Sequence, residues 1–370
     1  MNGRSWENTA DRMARRVREA PKGLVGLALG AGAALTGLAF WSSQASKDAE
    51  RANPPTGTFI EIGGAKLHYL ARGSGRPVVF IHGLGGMIQD WTLSLADRAA
   101  RGYRCIAFDR PGYGWSERPG WSRWSPEKQA ETLRRAARRM GAERPVLVAH
   151  DFGTLVALSW ALEYPEDVAG IVLIAGYYYS TRRIDIPLLS VPSMAGLGAV
   201  ARNTVSPMLG RAAMPKVMER LFAPNPVPDV MSLYPTDMML RPSQMRAQGE
   251  DLAHLKEATR RLSSRYGELR VPVVIVTGDG DTVVDPVTQS IRLHRDIPHS
   301  TVKVVAEAGH MVHHVAPADV MSAIDLAWHE SELQALAMGP VAGAASGRGA
   351  PVQAEPPPMP AAGTQPHGGH

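Results

Sequence analysis

Cysteine is almost absent: Cys105 stands alone in 370 residues, which excludes an internal disulfide and any cysteine-built metal centre. Aromatic residues make up only 6% of the chain, and no basic stripe interleaved with them runs through its body, so no nucleic-acid partner is expected. Charge of one sign is also scarce. The formal net charge is +5, and residues 1–22 supply +3 of it, from Arg4, Arg12, Arg15, Arg16, Arg18 and Lys22 against Glu7, Asp11 and Glu19, leaving +2 elsewhere. No glycine-rich phosphate loop and no metal-spaced ligand cluster lies in the body, so neither a nucleotide nor a metal cofactor is expected. His367 and His370 sit in a Gly/Ala/Pro tail too polar and too small-sided to fold.

A long hydrophobic run occurs once. Residues 23–41 are uncharged and follow the basic segment 1–22 directly, the pattern of a single-pass anchor with the N-terminus cytoplasmic and the rest outside the cytoplasm. The competing reading is a signal peptide cut near Ser43-Gln44-Ala45 and a secreted or periplasmic product, although the run exceeds the ~7–15 residues of such a core. Residues 42–56, polar and ending in Pro54-Pro55 and Thr56, read as a linker, and residues 338–370 as a disordered tail.

Between linker and tail, strand and helix signals alternate. Residues 58–71 read as a hairpin turning at Gly63-Gly64, and residues 78–81 as a strand buried on both faces. Residues 88–100 and 126–140 read as helices, the second capped by Ser125 with Pro126 in its first position. Strands follow at 104–109, 146–149, 168–175, 273–277 and 301–305, with helices at 154–164, 286–295 and 316–335. Between 176 and 269 the rhythm gives way to prolines, short helical pieces and eight of the sixteen methionines. The expected fold is α/β: a mostly parallel sheet flanked by helices, with core segments 57–176 and 270–337 and an inserted helical cap at 177–269.

The chemistry concentrates in Val146-Leu147-Val148-Ala149-His150-Asp151-Phe152-Gly153-Thr154. Small residues two before and two after Asp151 leave room for a sharp strand-to-helix turn that lifts the Asp151 carboxylate clear of the sheet. The plainer reading is a helix N-cap. Asp281 and His310 also fall just past predicted strands, on the edge where open α/β sheets bind ligands. Asp279 and Asp285 compete with Asp281, and His313 and His314 with His310, from less suitable positions. The order nucleophile, acid, histidine is that of an α/β-hydrolase triad.

On these motifs, together with His82-Gly83-Leu84-Gly85-Gly86 and Asp109-Arg110-Pro111-Gly112-Tyr113-Gly114-Trp115-Ser116, the chain resembles an α/β-hydrolase over residues 57–337. The elbow His150-Asp151-Phe152-Gly153 is similar to that of epoxide hydrolases and haloalkane dehalogenases. The resemblance implies an alkyl ester on Asp151, hydrolysed by water that His310 activates and Asp281 orients, with the N–H groups of Leu84 and Phe152 as oxyanion hole. A hydrophobic small molecule is the implied substrate.

Two departures bear on the leaving group. Epoxide hydrolases carry proline where this chain has Gly85 and use cap tyrosines as acids; Tyr177, Tyr178, Tyr179, Tyr234 and Tyr266 are available. Dehalogenases follow the nucleophile with a tryptophan where Phe152 stands; Trp91, Trp115, Trp121 and Trp124 substitute only if folded over the site. Epoxide hydrolysis is thus expected first. The alternatives are haloalkane dehalogenation, hydrolysis of an ester or carbon–carbon bond, and a non-catalytic, membrane-tethered binding protein on the same fold.

Overall fold

A computed structural model of the chain describes residues 22–120, 123–181 and 189–337. The basic segment before Lys22 and the tail 338–370 lie outside these residues. Helix α1 (Lys22–Ala52) leads into the hairpin of β1 (Thr58–Ile62) and β2 (Ala65–Arg72), with Gly63 and Gly64 both at positive φ in the turn. Then come β3 (Pro77–Ile81), the short helices α2 (Gln89–Thr92) and α3 (Ala96–Ala99), β4 (Arg104–Phe108), α4 (Pro126–Arg139), β5 (Val146–His150), α5 (Gly153–Glu163) and β6 (Gly170–Ile174). An insertion carries α6 (Leu197–Asn203), α7 (Val205–Phe222), α8 (Thr236–Met239) and α9 (Pro242–Ser263). The core resumes with β7 (Val273–Gly278), α10 (Arg292–Asp296), β8 (Thr301–Val305), α11 (Val312–Val315) and α12 (Pro317–Ala337).

The eight strands form one sheet in the order β1-β2-β4-β3-β5-β6-β7-β8, antiparallel only where β2 meets β1 and β4. β5 and β6 are buried at every residue, as an unbroken apolar run demands when helices cover both faces. Parallel pairing brings the C-terminal ends of β5, β7 and β8 to one edge, and the loops carrying Asp151, Asp281 and His310 leave from it.

Two stretches differ from the sequence reading. Residues 88–100 make two short helices, not one: the backbone leaves helical geometry at Leu95, with φ of −125°. Residues 42–56, read as a linker, are helical through Ala52 and packed: Ala49 is buried in a cluster with Met87, Phe222 and Met238. Proline at 54 disfavours helix at Asn53, whose side chain bonds back to the Ala49 carbonyl at 2.9 Å. The expected span 23–41 lies within α1, with the side chains of residues 22–25 and 28 outside the described ones. Among the described residues no helix is long and apolar enough to cross a membrane.

Candidate active site

β5 ends at His150, and Asp151 takes a left-handed backbone with φ of 51°, unfavourable for any residue with a Cβ. Its neighbours hold it there. The Asp151 amide donates to the Ile174 carbonyl (3.0 Å), and the Asp151 carbonyl accepts from the Thr154 hydroxyl at 2.6 Å. Glycine is required at 153, where a Cβ would come within 2.6 Å of the Ile81 and His82 carbonyl oxygens, and at 83, where it would reach 2.7 Å from the Asp151 Cβ. The N-cap of α5 is Phe152, and no side chain caps that helix. The Asp151 carboxylate turns toward the oxyanion loop instead.

There Asp151 Oδ2 accepts from the Leu84 N–H at 2.7 Å. Oδ1 is buried without a hydrogen-bond partner and lies 4.0 Å from His310 Nε2. His310 Nδ1–H donates to Asp281 Oδ2 at 2.8 Å, while Asp281 Oδ1 accepts from the N–H groups of Val283 (2.7 Å) and Val284 (2.9 Å). Those three donors aim the Asp281 carboxylate, which fixes the His310 tautomer with its basic nitrogen toward Asp151. The neighbouring candidates have other tasks. Asp279 accepts from the Glu307 N–H (2.7 Å), and Asp285 binds the Thr288 hydroxyl and N–H, which hold its carboxyl below the usual range. His313 is stacked between His150 and His314, away from the cavity lining.

Further residues enter that spacing did not single out. His150 Nε2–H donates to the His310 carbonyl (3.1 Å), tying the base loop to the elbow. Arg110 is fully buried and donates to the carbonyls of His82 and Gly83, both at 2.9 Å, so it shapes the oxyanion loop. Gly85 has φ of +69°. A proline ring fixes φ near −65°, so the family's proline does not fit this loop as it is folded.

Above Asp151 and His310 lies a cavity of about 350 Å³ lined by both and by Leu84, and walled by cap methionines including Met218, Met231 and Met239. Of the five tyrosines considered, Tyr177 and Tyr234 line it. Tyr266 bonds the Tyr178 carbonyl (2.6 Å), and Tyr179 bonds Asp296. Trp91, Trp115 and Trp124 do not line it; the indole N–H groups of Trp115 and Trp124 go to the carbonyls of Asn53 (3.1 Å) and Pro119 (3.0 Å). Trp121 lies outside the described residues.

Asp90 also faces this cavity, beside Tyr234. Burial pushes its carboxyl up to about 7, with the Tyr234 hydrogen bond opposing and the charges of Asp151 and Asp109 adding to the rise. Burial and the adjoining Asp90 in turn push the Tyr234 phenol well above its ordinary range. Within the helix predicted for 88–100, nothing marked Asp90 as more than a polar helix residue.

The alpha/beta hydrolase fold family matches residues 76–317. The chain belongs to that family. Epoxide hydrolase 1 of Caenorhabditis elegans is 33% identical over 117 residues, 31% of this chain and 29% of that protein. Haloalkane dehalogenase 2 of Mycobacterium bovis is 24% identical over 278 residues, 70% of this chain and 90% of that protein. In structure, Cfl2 of Burkholderia cenocepacia superposes with a TM-score of 0.60 at 23% identity, covering 72% of this chain and 93% of its own. As an α/β hydrolase, the protein has an edge cavity suited to a small molecule, and the likeness to Cfl2 speaks to fold alone.

Proposed function

We propose that this α/β hydrolase opens a small hydrophobic epoxide through an ester on Asp151. The observation that carries the reading is that Asp90 and Tyr234 line the same apolar cavity as Asp151 and His310. A halide leaves as a stable anion and asks for N–H donors. An epoxide oxygen leaves as an alkoxide and asks for a proton. With Phe152 after the nucleophile and the Trp115 and Trp124 N–H groups bonded elsewhere, the cavity is better equipped for the second.

Asp151 Oδ1 attacks a ring carbon as the carbon–oxygen bond breaks. The departing oxygen takes the Tyr234 proton, and the Asp90 acid replaces it. Oδ2 becomes the ester carbonyl oxygen, hydrogen-bonded to Leu84 N–H from the outset. His310 Nε2 then takes a proton from water as the water oxygen adds to Asp151 Cγ, and the oxyanion on Oδ2 is held by the Leu84 and Phe152 N–H groups. Collapse expels the diol oxygen, which takes the His310 proton. The remaining proton leaves to solvent, and Asp90 recovers one from it.

The test is the intact mass of a His310→Ala variant incubated with epoxide and haloalkane pools, followed by peptide mapping. An epoxide-derived adduct on Asp151 is expected. A haloalkane adduct alone would move the reading to dehalogenation. No adduct on a folded protein would favour the ester or carbon–carbon hydrolase, or the non-catalytic binding protein.

A further inference from the structure

Apolar surface is unevenly spread over this protein. Of the eighteen large hydrophobic side chains exposed among the described residues, five lie on α1 and nine in the cap, against four on the larger core. In α1, every described side chain from Gly26 to Gly37 is exposed, and a Cβ added at Gly26, Gly30, Gly32 or Gly37 would meet nothing within 4 Å. In α7, an 18-residue helix, only Pro207 and Phe222 are buried. A helix with apolar residues around most of its circumference is ordinarily covered on several sides. These helices are not.

The two bare regions are continuous. The second half of α1 packs beside α6, α7 and α8, and the Arg211 guanidinium of α7 sits 5.5 Å from the centre of the Trp41 ring of α1. Around that contact Phe40, Met208 and Leu209 are all exposed. The cavity reaches the same surface: Leu189 and Val217 line it, yet are 43% and 41% exposed. Residues 197–222 also carry Arg202, Arg211, Lys216 and Arg220 against a single acid, Glu219.

We propose that this surface, the apolar part of α1 together with the outer side of α6 and α7, docks on an anionic lipid bilayer, placing the cavity mouth at the lipid. Apolar side chains among basic ones are what an interfacial helix presents to acyl chains and anionic headgroups. A protein partner would have to cover two helices of different domains at once; a bilayer covers both without shape matching. The uncharged run of residues 26–41 favours lipid further. A hydrophobic substrate dissolved in the membrane then reaches Asp151 without crossing water. The docking itself does not depend on which bond is hydrolysed.

The experiment is sedimentation of the full-length protein with vesicles of phosphatidylcholine alone or with phosphatidylglycerol, alongside sedimentation velocity without vesicles. The wild type is expected to bind, more strongly with phosphatidylglycerol. L197D/V200D/L209D, none of which lines the cavity, is expected to weaken binding at least about tenfold, because it puts charge where apolar burial is needed. The milder K216E leaves packing untouched, so it reports even if the triple variant misfolds, and it should reduce the preference for anionic vesicles. Wild type that ignores vesicles overturns the proposal, as does a folded triple variant that binds unchanged, since α1 would then suffice. A dimer that the triple variant dissociates, with no vesicle binding, would assign the surface to a second copy of the chain.

Discussion

Arg110 Nη1 donates to Asp251 Oδ2 at 2.6 Å, and both residues are fully buried. Arg110 belongs to the loop after β4, Asp251 to cap helix α9. The same guanidinium holds the carbonyls of His82 and Gly83, so the oxyanion loop is braced against the cap through one side chain. Burial alone would raise the Asp251 carboxyl, but Arg118 and Arg110 outweigh it and hold it below the usual range.

Asp251→Ala leaves Arg110 buried without its counter-charge, a change that costs about 3–5 kcal/mol, and the melting temperature should fall accordingly. Asp251→Asn keeps the shape while weakening the grip. Under the proposed mechanism the oxyanion loop matters mainly for ester hydrolysis, so this variant should accumulate covalent intermediate with His310 intact. Equal slowing of both steps, seen by rapid-quench mass measurement, would argue against a selective role.

Under the proposed mechanism Asp90 and Tyr234 set the pH dependence of ester formation. With the Asp90 carboxyl near 7, its proton is present below that value and lost above it, so ester formation from an epoxide should decline as pH rises through about 7. Asp90→Asn should remove that limb and slow ester formation by about 10²-fold or more. A single-turnover pH series separates this from the hydrolytic step. A flat profile from pH 6 to 9 in the wild type would remove Asp90 from the mechanism.

Much of this was legible in the sequence because the relevant signals are local. Buried strands are continuous apolar runs, and the elbow announces itself by small residues around Asp151. Asp90 and Asp251 were not legible as part of a site because their meaning is in pairings across more than a hundred residues, Asp90 with Tyr234 and Asp251 with Arg110. The polar end of α1 misled for the same reason: Arg241 of the cap pairs with Glu50 at 2.9 Å and helps dock a stretch whose composition is that of a tether.

Gly85 offers a test of loop geometry. With φ of +69° and only 2.9 Å between an added Cβ and Met239 Cε, Gly85→Pro should make the protein less like an epoxide hydrolase in behaviour while more like one in sequence. A destabilisation of more than about 1 kcal/mol is expected, measured by urea denaturation, together with loss of turnover. A gain of activity would mean that the loop relaxes to a different path.

Three buried histidines and the half-buried His314 at the edge of the site should make the protein acid-sensitive. Burial holds His82, His150 and His313 well below the ordinary histidine value of 6.5, and His314 at about 4. Neither ring nitrogen of His313 nor of His314 has a hydrogen-bond partner. Unfolding exposes these rings and restores their affinity for protons, so between the folded and unfolded values the unfolded chain binds more protons. Stability is therefore complete above about 6.5 and is lost as pH falls below it, by up to ~1.4 kcal/mol per pH unit for each histidine involved. Urea titrations at pH 7.5, 6 and 5 should show it. His313→Leu, which removes two unsatisfied nitrogens from a stack of aromatic rings, should flatten that slope and be neutral or stabilising at pH 7.5. If its slope matches the wild type, His313 is reaching a partner through water and the burial argument fails for that ring.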